Sequence, residues 1–325
     1  MLQPPLSRFA RFAWGTLAYT VGVILWGAFV RATGSGAGCG SHWPLCDGEV
    51  VPRSPGVETL IEYSHRLTSG LALILVVVLL IWAWRRYPTG HRVRFGAVLA
   101  VAFMVIEALI GAGLVVFGLV GDNESMARAV VMSAHLVNTL ILVAAITVTA
   151  WWSSGGPPIR LRGQGSVLWL LAGGALGMSL LAVSGAIAAL GDTLFPSMGV
   201  GVTPEGLSPT GETLLYLRNY HPFIAIAFGG FVFYLASRLP RLRPHPAVSR
   251  LSMVLASLYL VQLIAGVVNI ALLAPVWMQL LHLLLANAIW IVLVLAGAAA
   301  LSLDPPAARD GFVAERRATG STLKV

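Results

Sequence analysis

Residues 59–82 read TLIEYSHRLTSGLALILVVVLLIW: a titratable opening, Glu62-Tyr63-Ser64-His65-Arg66, that runs into an unbroken apolar stretch. At a rise of about 1.5 Å per residue, a helix of this length covers the roughly 30 Å hydrocarbon core of a bilayer. Further apolar segments are predicted near 11–30, 95–118, 128–151, 166–189, 214–236, 249–271 and 277–300. In lipid only helices or a closed barrel satisfy the backbone, and segments this long exclude the barrel. The expectation is an all-α polytopic membrane protein with eight transmembrane helices. Composition agrees, since 57% of the 325 residues are hydrophobic and 10% charged, against roughly 25% charged in a soluble domain.

Charge sets the orientation. Arg8 and Arg11, Arg85, Arg86, Arg92 and Arg94, Arg160 and Arg162, Arg238, Arg241, Arg243 and Arg250, and Arg309, Arg316, Arg317 and Lys324 fall at the ends or in alternate loops. By the positive-inside rule these are cytoplasmic, and so are both termini. Asp47, Glu49, Glu58, Glu62, Asp122, Glu124, Asp192, Glu205 and Glu212 lie on the other side. The net charge of +8 thus reflects topology beside anionic lipid, with no nucleic acid needed to explain it. Arg8 and Arg11 before an apolar run resemble a signal peptide, but the run is long and lacks a cleavage site, so an uncleaved first helix is expected.

The second half reads as a worn copy of the first. Gly27-Ala28 near the end of helix 1 is echoed by Gly185-Ala186 in helix 5, and Glu107 with Gly111 by Gln262 with Gly266. His65 is matched by His221 and His135 by His282. Four helices per copy keep both halves in one orientation, a parallel repeat about the membrane normal. The halves are expected at 1–160 and 161–303, with 304–325 a disordered cytoplasmic tail.

All four histidines are expected about two turns inside the outer ends of their segments. One membrane histidine alone reads as an interhelical hydrogen bond. Four at matched depth in a repeat read as two bis-histidine sites in the two four-helix bundles, since such residues are costly in lipid. Facing imidazoles hold haem iron axially. Catalytic zinc gathers three ligands in one place, a poorer match to two pairs. Gly70, Gly111, Gly113, Gly229, Gly230 and Gly266 offer clearance for a flat ring, and Arg66 and Arg218 are candidate partners for its propionates. His42, His91 and His245 fall in loops and are given no such role.

Glu62 lies three residues before His65, on a shared helix face, whereas its counterpart is Arg218. A carboxylate beside one site can move protons or stabilise positive charge. The plainer reading is a surface acid favoured by the helix dipole. The first half therefore reads as a reaction site and the second as an electron relay. Glu107, deep in the bilayer, reads as an interhelical hydrogen bond ahead of a proton relay. Cys39 and Cys46, together in the first external loop, are expected to pair as a disulfide, either a structural staple or a redox-active pair.

With these residues in view, the chain resembles the haem A synthase family, in its bacterial form with a cysteine pair in the first external loop. The carrying residues are Arg31-Ala32-Thr33-Gly34-Ser35-Gly36-Ala37-Gly38-Cys39, then Trp43-Pro44-Leu45-Cys46 and Pro52, then Glu62-Tyr63-Ser64-His65-Arg66 and the three later histidines. The resemblance implies oxidation of the haem O ring methyl to a formyl group, giving haem A for terminal oxidases. It implies haem O between His65 and His135, with Glu62, Cys39 and Cys46 as catalytic groups, and a resident haem b between His221 and His282. It also implies haem O delivered by a haem O synthase, an electron donor or acceptor left unspecified, and a cell (inner) membrane location with the haem sites toward the outer face. Homo-oligomerisation stays open. Glu107 departs from the glutamine expected of the family at its place. The competing readings are a diheme cytochrome b-type quinol oxidoreductase, which usually places haems near opposite faces, and a colourless transporter or assembly factor.

Overall fold

The structure, a computed structural model, describes residues 5–195 and 207–303. Its regular elements are helices: α1 Arg8–Ala32, α2 Val57–Arg86, α3 Arg92–Val116, α4 Met126–Ser153, α5 Ser166–Leu194, α6 Pro209–Arg218, α7 His221–Leu242, α8 Pro246–Ala271 and α9 Val276–Leu301. A short 3-10 helix, Ser35–Ala37, follows α1. With α6 and α7 taken as one span, 8 helical segments are long and apolar enough to cross a membrane. The all-α, eight-span expectation holds. The tail expected at 304–325 lies outside the described residues, as does 196–206.

Local chemistry explains where the helices start. Ser7, Ser125 and Ser208 each accept a backbone N–H from the first turn of α1, α4 and α6, as N-caps do. His91 and His245 cap α3 and α8 through Nδ1, each at 3.2 Å from the amide it accepts. These two loop histidines are therefore structural.

The sixth segment differs from expectation. It was predicted as one helix over 214–236 but breaks after Arg218, at Asn219-Tyr220. Pro222 has no N–H to donate and its ring clashes with the carbonyl four residues back, which favours a break or kink just before it. It sits in the opening turn of α7, where proline is tolerated. His221 is thus the first residue of α7 and not a residue two turns into a continuous helix.

In the first half α1 packs on α2 and α4, and α3 packs on α2 and α4; in the second, α5 packs on α7 and α9, and α8 on α7 and α9. The halves meet through α1 and α4 against α5 and α9. One core runs through both, with Met104, Ile146, Leu171, Leu235, Tyr259 and Leu293 among its buried members. The Trp290 indole N–H donates to the carbonyl of Leu140 at 2.7 Å across that seam. Outward-facing side chains such as Leu67, Ile74, Leu109 and Val267 stay exposed, as a lipid-facing surface requires.

Candidate functional site

Each of the four histidines lies over a glycine of an adjacent helix. A Cβ on Gly27 of α1 would sit 2.9 Å from His65 Cε1, and one on Gly185 of α5 would sit 3.1 Å from His221 Cε1. On Gly266 of α8 it would come 3.3 Å from His282 Cε1, and on Gly111 of α3 3.8 Å from His135 Cε1. A side chain at Gly27 would force a shift, and at Gly185 and Gly266 the imidazole would have to give by a few tenths of an ångström.

In the second half the rings of His221 and His282 have centroids 6.4 Å apart and planes at 77°. Two imidazoles on opposite sides of one metal, each bonded at about 2 Å, hold their centroids about 6 Å apart. The pair fits that arrangement. Ser184 Oγ lies 2.9 Å from His221 Nδ1, a ring-orienting contact of the kind that fixes a ligating histidine. Buried His282 Nδ1 makes no hydrogen bond, and Gln262 Nε2 donates to the His282 carbonyl at 3.1 Å.

In the first half Glu107 bridges α3 and α4. It accepts from Asn138 Nδ2 at 2.5 Å and from the Thr139 hydroxyl. The interhelical hydrogen bond expected of Glu107 is present. The sequence reading did not foresee that Glu107 Oε1 also lies 3.4 Å from His135 Nδ1. The Nδ1 atoms of His65 and His135 are buried and form no hydrogen bond.

The loop between α1 and α2 is held by one stripe of α2. Thr59 Oγ1 donates to the Gly38 carbonyl at 2.7 Å, Tyr63 to the Val50 carbonyl at 2.9 Å, and Glu62 Oε2 accepts the Cys39 N–H at 2.8 Å. Arg66 donates through Nε and Nη2 to Glu62 Oε1 and through Nη1 to the carbonyls of His42 and Leu45. These residues fall at i, i+3, i+4 and i+7, a single helix face.

That engagement bears on three expectations. Glu62 is 3% exposed, so it is not a surface acid, and its oxygens face the loop and Arg66. Arg66 has four of its five N–H donors occupied within the protein, so at most one remains for a propionate. Cys39 and Cys46 form the expected disulfide, but both are 0% exposed, unlike the accessible bridge a labile pair would present.

Two further polar groups, Arg31 and Arg128, were given no role by the sequence. Arg31 of α1 reaches across the seam, donating to the Ala189 carbonyl, Thr193 Oγ1 and Gln279 Oε1. Arg128 is 3% exposed and donates to the carbonyls of Gly121 and Asn123. Arg218, at 4% exposure, pairs with Asp192 at 3.3 Å. The signal for Arg31 and Arg128 was their place on the acid-rich side, against the positive-inside trend.

Fold and site together define a class: polytopic helical membrane proteins whose histidines are seated in glycine gaps between helices. The chain belongs to the COX15-CtaA family, described as cytochrome oxidase assembly proteins, which it matches over residues 10–294. The resemblance to the haem A synthase family thus holds. A protein named protoheme IX farnesyltransferase from Thermus thermophilus is 52% identical over 326 residues, covering 98% of this chain and 53% of that protein. The chain therefore spans about half the length of that relative. A protein named heme A synthase from Halalkalibacterium halodurans is 44% identical over 124 residues, 38% of this chain and 41% of that one. Another of that name from Shouchella clausii is 50% identical over 96 residues, 30% of this chain and 32% of that one.

Proposed function

We propose that this protein is a haem A synthase, oxidising the ring methyl of haem O to a formyl group in the cell membrane, with both termini cytoplasmic and its sites toward the outer face. The single observation that carries the reading is the seating of all four histidines over glycines in matched helix pairs. Under it the chain is a duplicated four-helix unit. His65 and His135 hold the substrate, delivered by a haem O synthase, and His221 and His282 hold haem b.

Haem b, when bound, supplies one-electron transfer. The protein's own task in the first half is to take protons as the methyl is oxidised, and Glu62 is the acid one turn before His65 on the same helix. Its oxygens accept from Cys39 and Arg66, so a proton taken up by Glu62 enters a carboxylate already held by the loop and by a cation. The base role is thereby tied to the position of the loop carrying Cys39–Cys46. Arg218, the last residue of α6 and three before His221, remains the candidate for the haem b propionates, sharing its charge with Asp192.

A farnesyl-transfer reading draws on the name of the Thermus relative. Displacing a diphosphate calls for a metal clamp held by acids, and no group of three or more His, Cys, Asp or Glu able to hold a metal occurs among the described residues.

Haem extraction from the purified protein, resolved by chromatography and mass, tests the proposal. Haem B with haem O, its hydroxylated form or haem A supports it. Haem B alone, after co-expression with a haem O-making enzyme, points to the diheme electron carrier. Farnesylation of added haem B with farnesyl diphosphate establishes the transferase reading, and absence of any haem the transporter.

A further inference from the structure

Glu107 puts a carboxylate behind one of the four histidines, and among the described residues nothing equivalent stands behind its counterpart. Its Oε1 is 3.4 Å from His135 Nδ1, and that nitrogen forms no hydrogen bond of its own. The carboxylate is fixed from α4 by Asn138 Nδ2 at 2.5 Å and by the Thr139 hydroxyl. Asn138 is itself oriented by a bond to the Phe103 carbonyl at 2.9 Å.

In the second half the residue one turn before the seating glycine is Gln262. It turns to the His282 backbone carbonyl at 3.1 Å and leaves His282 Nδ1 without a hydrogen bond. The ring contact present there is the neutral Ser184 hydroxyl on His221, 2.9 Å away. Among the described residues, one histidine pair therefore has a carboxyl group at a ring nitrogen and the other does not.

A carboxylate behind a ligating imidazole attracts its N–H, makes the ring a stronger donor and stabilises the more positive state of the metal. Hydrogen bonding and charge around axial ligands are among the levers by which a protein tunes haem iron. We propose that Glu107 is a positioning residue that sets the reduction potential of an iron porphyrin held by His65 and His135 below that of one held by His221 and His282. This rests on the bis-histidine reading above. It orders the two sites so that an electron leaving the first iron is taken up by the second.

The test is a spectroelectrochemical titration of the purified protein loaded with haem B, in wild type, Glu107→Gln, Glu107→Asp and His65→Ala. His65→Ala identifies the first-site step by removing or displacing it. Glutamine is isosteric and occupies the matching place in the other half, so the fold should be retained, and an unmoved second-site step reports that it is. The expected result is a first-site equilibrium shifted toward reduction by about tenfold in Glu107→Gln, about 59 mV for one electron. Glu107→Asp should return most of the shift, and the low-spin signature of the first haem should change with Glu107→Gln alone. Two haems bound with the first step unmoved in Glu107→Gln would overturn the inference while leaving the bis-histidine reading intact. A wild type whose haem uptake is indifferent to His65→Ala would overturn that reading, and the inference with it. If Glu107→Gln does not accumulate, Glu107→Ala takes its place in the titration: an unmoved first step there counts against the proposal.

Discussion

Glu62 accepts the backbone N–H of Cys39 at 2.8 Å. The acid on the His65 helix and the disulfide loop are one hydrogen-bonded unit, closed by Arg66, which grips both.

Glu62→Gln keeps a side-chain oxygen for the Cys39 amide but removes the charge opposite Arg66. A buried hydrogen bond to a charged group contributes about 1.5–3 kcal/mol, so a fall in melting temperature is expected with the fold intact. Haem binding at the histidines should survive, while oxidation stops before the formyl stage. Chromatography of extracted haems checks this, and full conversion to haem A would remove Glu62 from the proton path.

Breaking the disulfide, by Cys39→Ser with Cys46→Ser or by reductant, opens a short ring of about eight residues. Chain entropy for such a ring corresponds to about 2–3 kcal/mol. The loop should remain partly tethered by Thr59 and Tyr63 of α2. Thermal unfolding with and without reductant should differ accordingly, with the haem spectrum retained. Because both sulfurs are buried, reduction in the native state should be slow, and fast labelling by a thiol reagent without denaturant would contradict the burial.

The glycine seats make a graded series. An added methyl meets the imidazole at 2.9 Å in Gly27→Ala, 3.1 Å in Gly185→Ala and 3.3 Å in Gly266→Ala, but at an ordinary 3.8 Å in Gly111→Ala. Loss of haem absorbance should follow that order, with Gly27→Ala most affected. Gly111→Ala should bind normally and gain up to about 1 kcal/mol from helix propensity. Equal loss across the four would show that the seats do not set ligand position.

Arg31→Leu removes the cation joining α1 to Ala189, Thr193 and Gln279 across the seam. The Ala189 carbonyl keeps the Thr193 hydroxyl, but Gln279 Oε1 loses its cation, and a buried acceptor left unsatisfied costs about 1–3 kcal/mol. The expected outcome is a clear drop in melting temperature, with Arg31→Lys recovering part of it. A melting temperature equal to wild type would show that water replaces the guanidinium.

Much of this was legible in the chain. Polar residues stand out inside apolar runs, so His65, His135, His221, His282 and Glu107 could be picked from hydropathy alone, and the cysteine pair from its loop. The break before α7 was also written in Pro222, but the apolar count over 214–236 outweighed it. By contrast, nothing near Glu62 in sequence indicates that its partner is an amide 23 positions earlier, and nothing near Arg31 indicates Gln279, 248 positions away.

The sequence by itself therefore determined the eight spans and the polar positions within them, because hydropathy and helical period depend on neighbours along the chain. Tertiary structure alone decided what each polar group touches: Glu62 on the disulfide loop, Glu107 behind His135, each histidine over its glycine. Those contacts arise where helices distant in sequence pack together, and a buried polar group takes whichever partner that packing brings within hydrogen-bond reach.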